Sequence, residues 1–276
     1  MRTVLRNFAV AVVFSMTTLS CSGSLESLKR LNIFPPERDI ELGLQIDQEI
    51  RKNPGEYPIL QDRPAVKAYV EQIGNKILAS PEIKYRAVFA YKYEIIKDDS
   101  TINAFCTPGG YIYVYTGLIR FLDNEATLAG VIGHEIAHAE LRHATGRMTK
   151  ALGLELLVAV VLGNKPSDAA RIGANLFTGL SLLANSRGDE TQADIYSIKY
   201  MQSTEYYHGA IRFFFEKVLD ASPRRGGAFE RLLSTHPLPQ DRVENVQKMM
   251  NQMGNLQIAE ANLFAKRYQE MKKALQ

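Results

Sequence analysis

The chain has 276 residues, 46% of them hydrophobic and 23% charged. This globular composition excludes disorder, collagen-like repeats and low complexity. A net charge of +3 and only two cysteines exclude binding by phosphate neutralisation, a disulfide scaffold and a four-cysteine metal site, so no nucleic-acid partner is expected.

Residues 1–20 read as a signal peptide. Arg2 and Arg6 precede an uncharged run from Phe8 to Ser20, which is too short to span a bilayer. The run ends at Leu19-Ser20-Cys21 and resembles a bacterial lipoprotein signal, with Cys21 lipidated as the mature N-terminus. Thr18 stands where such signals usually carry leucine, and a plain secretory signal is the alternative. Without Arg2 and Arg6 the net charge falls from +3 to +1. The expected location is the periplasm-facing side of the bacterial envelope, at the outer membrane, with the lipid as membrane contact. Residues 21–36 read as a tether closing at Pro35-Pro36, and 37–276 as a single domain large enough to share one core.

Helical spacing predicts helices over about 37–53 and 64–79, the second carrying Val66, Tyr69, Val70, Ile73 and Leu78. Residues 87–97 alternate, with Phe89, Tyr91, Tyr93 and Ile95 on one side, which predicts a strand. Pro108-Gly109-Gly110 then introduces a second alternating strand, 111–115. From about 124 the chain reads as helical, with breaks near 163–166, 222–227 and 237–239 and a polar-faced helix over 256–275. The apolar stretch 151–163 is short and contains Glu155, so it predicts a packed helix rather than a span. The fold class expected is α+β, mostly helical with a small early sheet.

The informative segment is His134-Glu135-Ile136-Ala137-His138. Positions i and i+4 of a helix lie about 40° apart, so both imidazoles project to one side. The intervening glutamate reaches a metal-bound water. Asn124 can cap this helix, and its surface is apolar nearly all round, which predicts burial. Buried histidines and a buried acid are costly without a strong partner, and a metal supplies one. His143 lies about 180° round from His134 if the helix continues, so it is expected to support the site rather than bind the metal.

A catalytic zinc needs a third protein ligand. Glu190 and Asp194 are i and i+4 in the segment 186–194, beside the small residues Ala193 and Ser197. Either a ligand with an orienting partner or a solvated acidic face fits that spacing.

The combined landmarks resemble the gluzincin metallopeptidases related to the CaaX prenyl endopeptidases, HtpX and the periplasmic lipoproteins LoiP and BepA. They comprise Asn103 through Gly110, Glu125 through His143, Ser186 through Asp194, and Thr235-His236-Pro237 with Arg242. Cys106 departs from the pattern, where relatives often have alanine. The resemblance implies one zinc per chain, held by His134, His138 and Glu190, with Glu135 as general base. It implies Asp194 as the acceptor for a ligand histidine's outer N–H and His236 as oxyanion stabiliser, with Arg242 nearby. It also implies that 111–115 is a cleft-lining edge strand for an extended substrate, contacted through Asn103, Ala104, Gly110, Tyr111 and Tyr113. Core packing is the competing reading of those tyrosines.

The function expected is a zinc-dependent endopeptidase acting on unfolded or misassembled envelope proteins. The alternative is a chaperone or assembly factor for outer-membrane proteins, with zinc as a latch and the outer-membrane assembly machinery as partner. Some relatives carry an added repeat domain, for which few residues remain after 250.

Overall fold

Two prolines start the first two helices. Pro36 opens α1 (Pro36–Lys52) and Pro64 opens α2 (Pro64–Leu78), where a missing N–H costs nothing. Both match their expected ranges within a residue. The computed structural model describes residues 32, 34–150, 185–223, 226–237, 241–254 and 256–276. The signal peptide, Cys21, most of the tether and the stretch 151–184 lie outside the described residues. Residues 32–276 cluster as one compact unit. Among the described residues no helix is long and apolar enough to cross a membrane.

The sheet has three strands: β1 (Lys92–Ile96), β2 (Ala104–Thr107) and β3 (Tyr111–Tyr115). Their order is β1-β3-β2, with β3 parallel to β1 and antiparallel to β2. Two expectations are corrected here. The first strand does not begin at 87, because Tyr91 takes a left-handed backbone (φ 38°) that no extended ladder continues through. Strand 111–115 is the centre of the sheet rather than its edge. Both its flanks are already hydrogen-bonded, so it has no free side for a substrate.

Tyr111, Tyr113 and Tyr115 do share one face, as alternation requires, but that face packs on Leu42, Ile46 and Ile50 of α1. The Tyr113 hydroxyl donates to Asp47 at 2.7 Å. Tyr111 and Tyr113 are therefore core residues, not substrate contacts. Gly110 is a buried turn residue with φ 88°, a conformation that excludes most side chains.

Further helices among the described residues are α3 (Thr116–Phe121), α4 (Glu125–Glu140), α5 (Arg187–Met201), α6 (Ile211–Ala221), α7 (Glu230–Thr235), α8 (Asp241–Gln252), α9 (Glu260–Leu263) and α10 (Ala265–Lys273), and residues 143–150 are helical as well. The single helix expected over 256–275 is two pieces, because Phe264 takes φ 54° between them. Every residue of α4 is buried. Its two end acids are satisfied within the protein. Glu125 accepts from Tyr69, Tyr206 (2.5 Å) and Arg267, and Glu140 accepts from Tyr91 and the backbone N–H of Lys84 (2.8 Å) and Tyr85 (3.1 Å). An apolar helix surrounded on all sides thus fixes the position of the segment 134–138.

Candidate metal centre

Local chemistry sets both helices of the site. Asn124 caps α4 by accepting from the Thr127 N–H at 2.9 Å. Ser186 and Asp189 form a reciprocal capping box at the start of α5. Glu190 then falls in the first turn of α5, where the helix dipole favours a carboxylate. Small residues let the helices meet closely. A Cβ on Gly133 would sit 2.9 Å from Ser197 Oγ, which itself donates to the Gly130 carbonyl at 2.8 Å.

Three donor side chains converge. His134 Nε2 and His138 Nε2 are 2.9 Å apart. Glu190 reaches them at 3.4 Å through Oε2 and 3.3 Å through Oε1. A tetrahedral zinc with bonds of about 2.0–2.1 Å has ligand–ligand edges of about 3.3–3.4 Å; the two Glu190 separations match it, and the two imidazole nitrogens stand closer than that edge. His236 joins the same group, its ligand atom within 4.8 Å of the others. Its Nδ1 lies 3.1 Å from Glu190 Oε1 and its Nε2 lies 3.8 Å from Glu135 Oε1. All four are buried, and the donor set suits a single zinc ion.

The surrounding groups orient these donors. Arg242 reaches Asp194 through Nε (2.8 Å) and Nη2 (2.6 Å), and Glu190 through Nη1 (2.7 Å). Asp194 Oδ1 lies 2.9 Å from His134 Nδ1, within reach but off the line of a well-formed hydrogen bond. His143 arrives by a break in the helix. Arg142 takes a left-handed backbone (φ 55°) just after α4, and this turns His143 back until its Nδ1 is 2.8 Å from His138 Nδ1. If His138 Nε2 binds a metal, Nδ1 must carry the proton and donate to His143. The N–H of His143 Nε2 then faces Gln192 Oε1 at 3.4 Å.

Sequence reasoning missed Asn185, buried and 3.2 Å from His236 Nδ1. Its backbone N–H donates to the Thr235 carbonyl at 2.9 Å, tying the start of α5 to the His236 turn. Its place one residue before a capping box was the only signal. Arg142 and its partner Asp39 were missed as well.

Among the protein groups alone, burial opposes charge on Glu135, Glu190, His134, His138, His143 and Cys106, and neighbours reverse it only at Glu190 and His134. Burial raises the Glu135 carboxyl, against the opposing charges of His236 and His134. Burial would also raise Glu190, but His236 and the hydrogen bonds from the three imidazoles hold it well below the usual range. His134 is pushed up to about 9; burial lowers it, and its contacts with Asp194 and Glu190 more than reverse that. His138 is driven well down by burial and by the charge of His134. Burial lowers His143 to about 4. Burial and the neighbouring Glu135 raise the Cys106 thiol well above its ordinary value, which favours the protonated thiol.

The free edge beside this group is β2. Tyr115 N–H donates to the Asn103 carbonyl at 3.1 Å, and antiparallel alternation then turns the backbone groups of Ala104 and Cys106 outward. The outward backbone of Cys106 faces Glu135 and holds its carboxyl down against burial. Asn103 is buried, and among the described residues its side-chain oxygen has no partner.

The model of peptidase family M48 matches residues 64–250. The chain belongs to this family. M48 peptidases use zinc, in keeping with the donor set above. A beta-barrel assembly-enhancing protease of Yersinia pestis is 31% identical over 227 residues, 76% of this chain and 45% of that protein. Its counterpart in Escherichia coli K12 is 28% identical over 218 residues, 75% of this chain and 43% of that protein. The mitochondrial metalloendopeptidase OMA1 of Saccharomyces cerevisiae is 28% identical over 202 residues, 70% and 58% of the two chains. The M48 chain spans less than half the length of the bacterial relatives it matches.

Proposed function

We propose that this M48 chain is an endopeptidase that hydrolyses extended, unfolded segments of bacterial envelope proteins. The observation that carries the reading is the meeting of Glu135, the outward backbone of edge strand β2 and the His134–His138–Glu190 trio at one place. When bound, zinc supplies an acidified water and a Lewis acid. With the ion held by His134, His138 and Glu190, Glu135 would take a proton from the attacking water and return it to the leaving amine. Its raised carboxyl brings its proton affinity nearer to working pH. His236 Nε2 faces the same space as Glu135 and donates to the developing oxyanion. Asp194 and Arg242 hold His134 and Glu190, and His143 holds His138. An extended substrate pairs with β2 through backbone groups, which tolerates many sequences, and Asn103 accepts from it.

The envelope assignment rests on the signal-like residues 1–20 and on bacterial relatives named for beta-barrel assembly. Labelled palmitate entering the wild type but not Cys21→Ser is the result expected of a lipid anchor, and equal labelling removes it. For the chemistry, Glu135→Gln keeps about one zinc per chain and loses cleavage of an unfolded protein. Undiminished cleavage by that variant refutes the base assignment. Full restoration of outer-membrane protein assembly in cells by Glu135→Gln points instead to the chaperone with a zinc latch.

A further inference from the structure

Asn185 sits where the start of α5, the helical residues 143–150 and the turn after α7 meet. Its backbone N–H donates to the Thr235 carbonyl at 2.9 Å, beside His236. Its side chain is buried, and the side-chain oxygen accepts from Arg147 Nη1. The side-chain nitrogen lies 3.2 Å from His236 Nδ1 and 3.5 Å from His138 Nε2. An amide can be turned end for end, but Arg147 decides its direction here. A guanidinium only donates, so the oxygen must face Arg147 and the NH2 group must face His236.

That direction fixes a proton on the imidazole. In a neutral imidazole one nitrogen carries the proton and the other a lone pair. His236 Nδ1 has two neighbours with opposite demands. Glu190 Oε1, 3.1 Å away, accepts a hydrogen bond, and the Asn185 amide offers one. Among the protein groups alone the proton can serve Glu190. That carboxylate has other partners, however: Arg242 Nη1 donates to it at 2.7 Å, and it is a metal ligand. The amide is less free. His138 Nε2, also near it, is committed to the metal and has no lone pair to give. A proton on Nδ1 therefore leaves a buried N–H facing another N–H, an unpaired donor. With the proton on Nε2 the amide is satisfied, and the Nε2–H lies on the side of Glu135, 3.8 Å from its Oε1.

We infer that Asn185 is a positioning residue of the peptidase: oriented by Arg147, it donates to His236 Nδ1 and keeps the imidazole proton on Nε2, the atom that serves the oxyanion. The inference rests on the endopeptidase reading above and adds a part to it. The hydrogen bonds run in one direction, from Arg147 through Asn185 to His236, and end on a donor at the reacting space. The same short segment that begins α5 thus supplies the third ligand, Glu190, and sets the proton on His236.

The chain has five histidines, few enough to follow by side-chain nitrogen NMR of the zinc-loaded full chain. In the wild type the His236 proton is on Nε2. Asn185→Asp puts an acceptor where the donor stood and moves that proton to Nδ1. In cleavage of an unfolded protein its kcat falls about a hundredfold, the scale of a lost oxyanion donor, while KM is nearly unchanged. Asn185→Leu, similar in size and uncharged, removes the donor without adding a carboxylate, and its kcat falls on the order of tenfold. Zinc content of about one per chain in both variants separates this loss from loss of the metal. In a His236→Ala background Asn185→Asp costs little more, because no imidazole proton remains to be placed. A His236 proton on Nδ1 in the zinc-loaded wild type overturns the positioning role with no variant needed, and so does an undiminished loss from Asn185→Asp in the His236→Ala background. A wild type that holds the proton on Nε2, loses that placement in Asn185→Asp and yet never cleaves overturns the endopeptidase reading and leaves the hydrogen-bond assignment standing.

Discussion

The turn that delivers His143 to His138 is held by a buried ion pair, and breaking that pair from its two ends should not cost the same. Arg142 donates to Asp39 through Nε at 2.7 Å and again through Nη2, which also reaches the Phe34 carbonyl. Thr145 donates to the other Asp39 oxygen at 2.8 Å. Asp39 is 1% exposed, and burial raises its carboxyl despite the adjacent guanidinium. Desolvation therefore outweighs attraction, and what holds the turn is the absence of an uncompensated charge. Asp39→Leu strands a guanidinium that cannot lose its proton, at a cost of about 3–5 kcal/mol. At about 2–4 °C per kcal/mol for a domain of this size, Tm falls by roughly 6–20 °C. Arg142→Met strands a carboxylate that can take up a proton, so it costs less. A raised carboxyl contributes stability below its unfolded pKa and loses it as pH rises through the folded value, so Arg142→Met is milder at pH 5 than at pH 8. Calorimetry of the zinc-saturated proteins at both pH values measures this, and the double variant recovers most of the loss. Equal costs from the two single variants, or a double variant that costs their sum, refute the reasoning.

Three further outcomes are expected. His134 is raised to about 9 in the metal-free protein, so at pH 7.5 zinc entry displaces about one proton, and apparent zinc affinity climbs about tenfold per pH unit up to about 9. Titration calorimetry in buffers of different ionisation enthalpy reads the proton, and no buffer dependence contradicts the assignment. In that apoprotein, the stability His134 contributes is complete below about 6.5, its unfolded value, and disappears as pH rises through about 9. Gly43→Ala places a Cβ against the Pro108 carbonyl oxygen, backbone that cannot yield cheaply, and costs about 2–3 kcal/mol or more, whereas Gly146→Ala meets nothing within 4 Å and gains about 0.5–1 kcal/mol. Urea midpoints of opposite sign check the pair, and a neutral Gly43→Ala counts against the packing of α1 on that corner.

The parts of the fold legible in the sequence are those fixed by local rules. The first two helices begin at prolines, α4 at Asn124 and α5 at a reciprocal cap, and each is recognisable within four residues. The sheet order was not legible. Alternation in 111–115 places three tyrosines on one face but carries nothing about which neighbours flank the strand. The edge was therefore assigned to β3 when β2 occupies it. The early end of the first strand and the break before α10 turn on positive φ at Tyr91 and Phe264, residue types that seldom adopt it, so their identity gave no warning.

The same division runs through the site. His134, Glu135 and His138 lie on one continuous helix, so their spacing alone brings them together. His143 was placed on the far side by extending that helix, a sound step that one left-handed residue reverses. Local bonds support that conformation, since the Gly146 N–H (2.9 Å) and the Thr145 hydroxyl (3.3 Å) both donate to the Arg142 carbonyl. It costs roughly 1–2 kcal/mol, and Asp39, more than a hundred positions away in the chain, adds a distant anchor by engaging the guanidinium once α1 is packed. The hydrogen bond from His138 to His143 therefore depends on α1 as well as on α4. A local sequence pattern can supply the metal ligands, but the proton positions on those ligands are set by the assembled core.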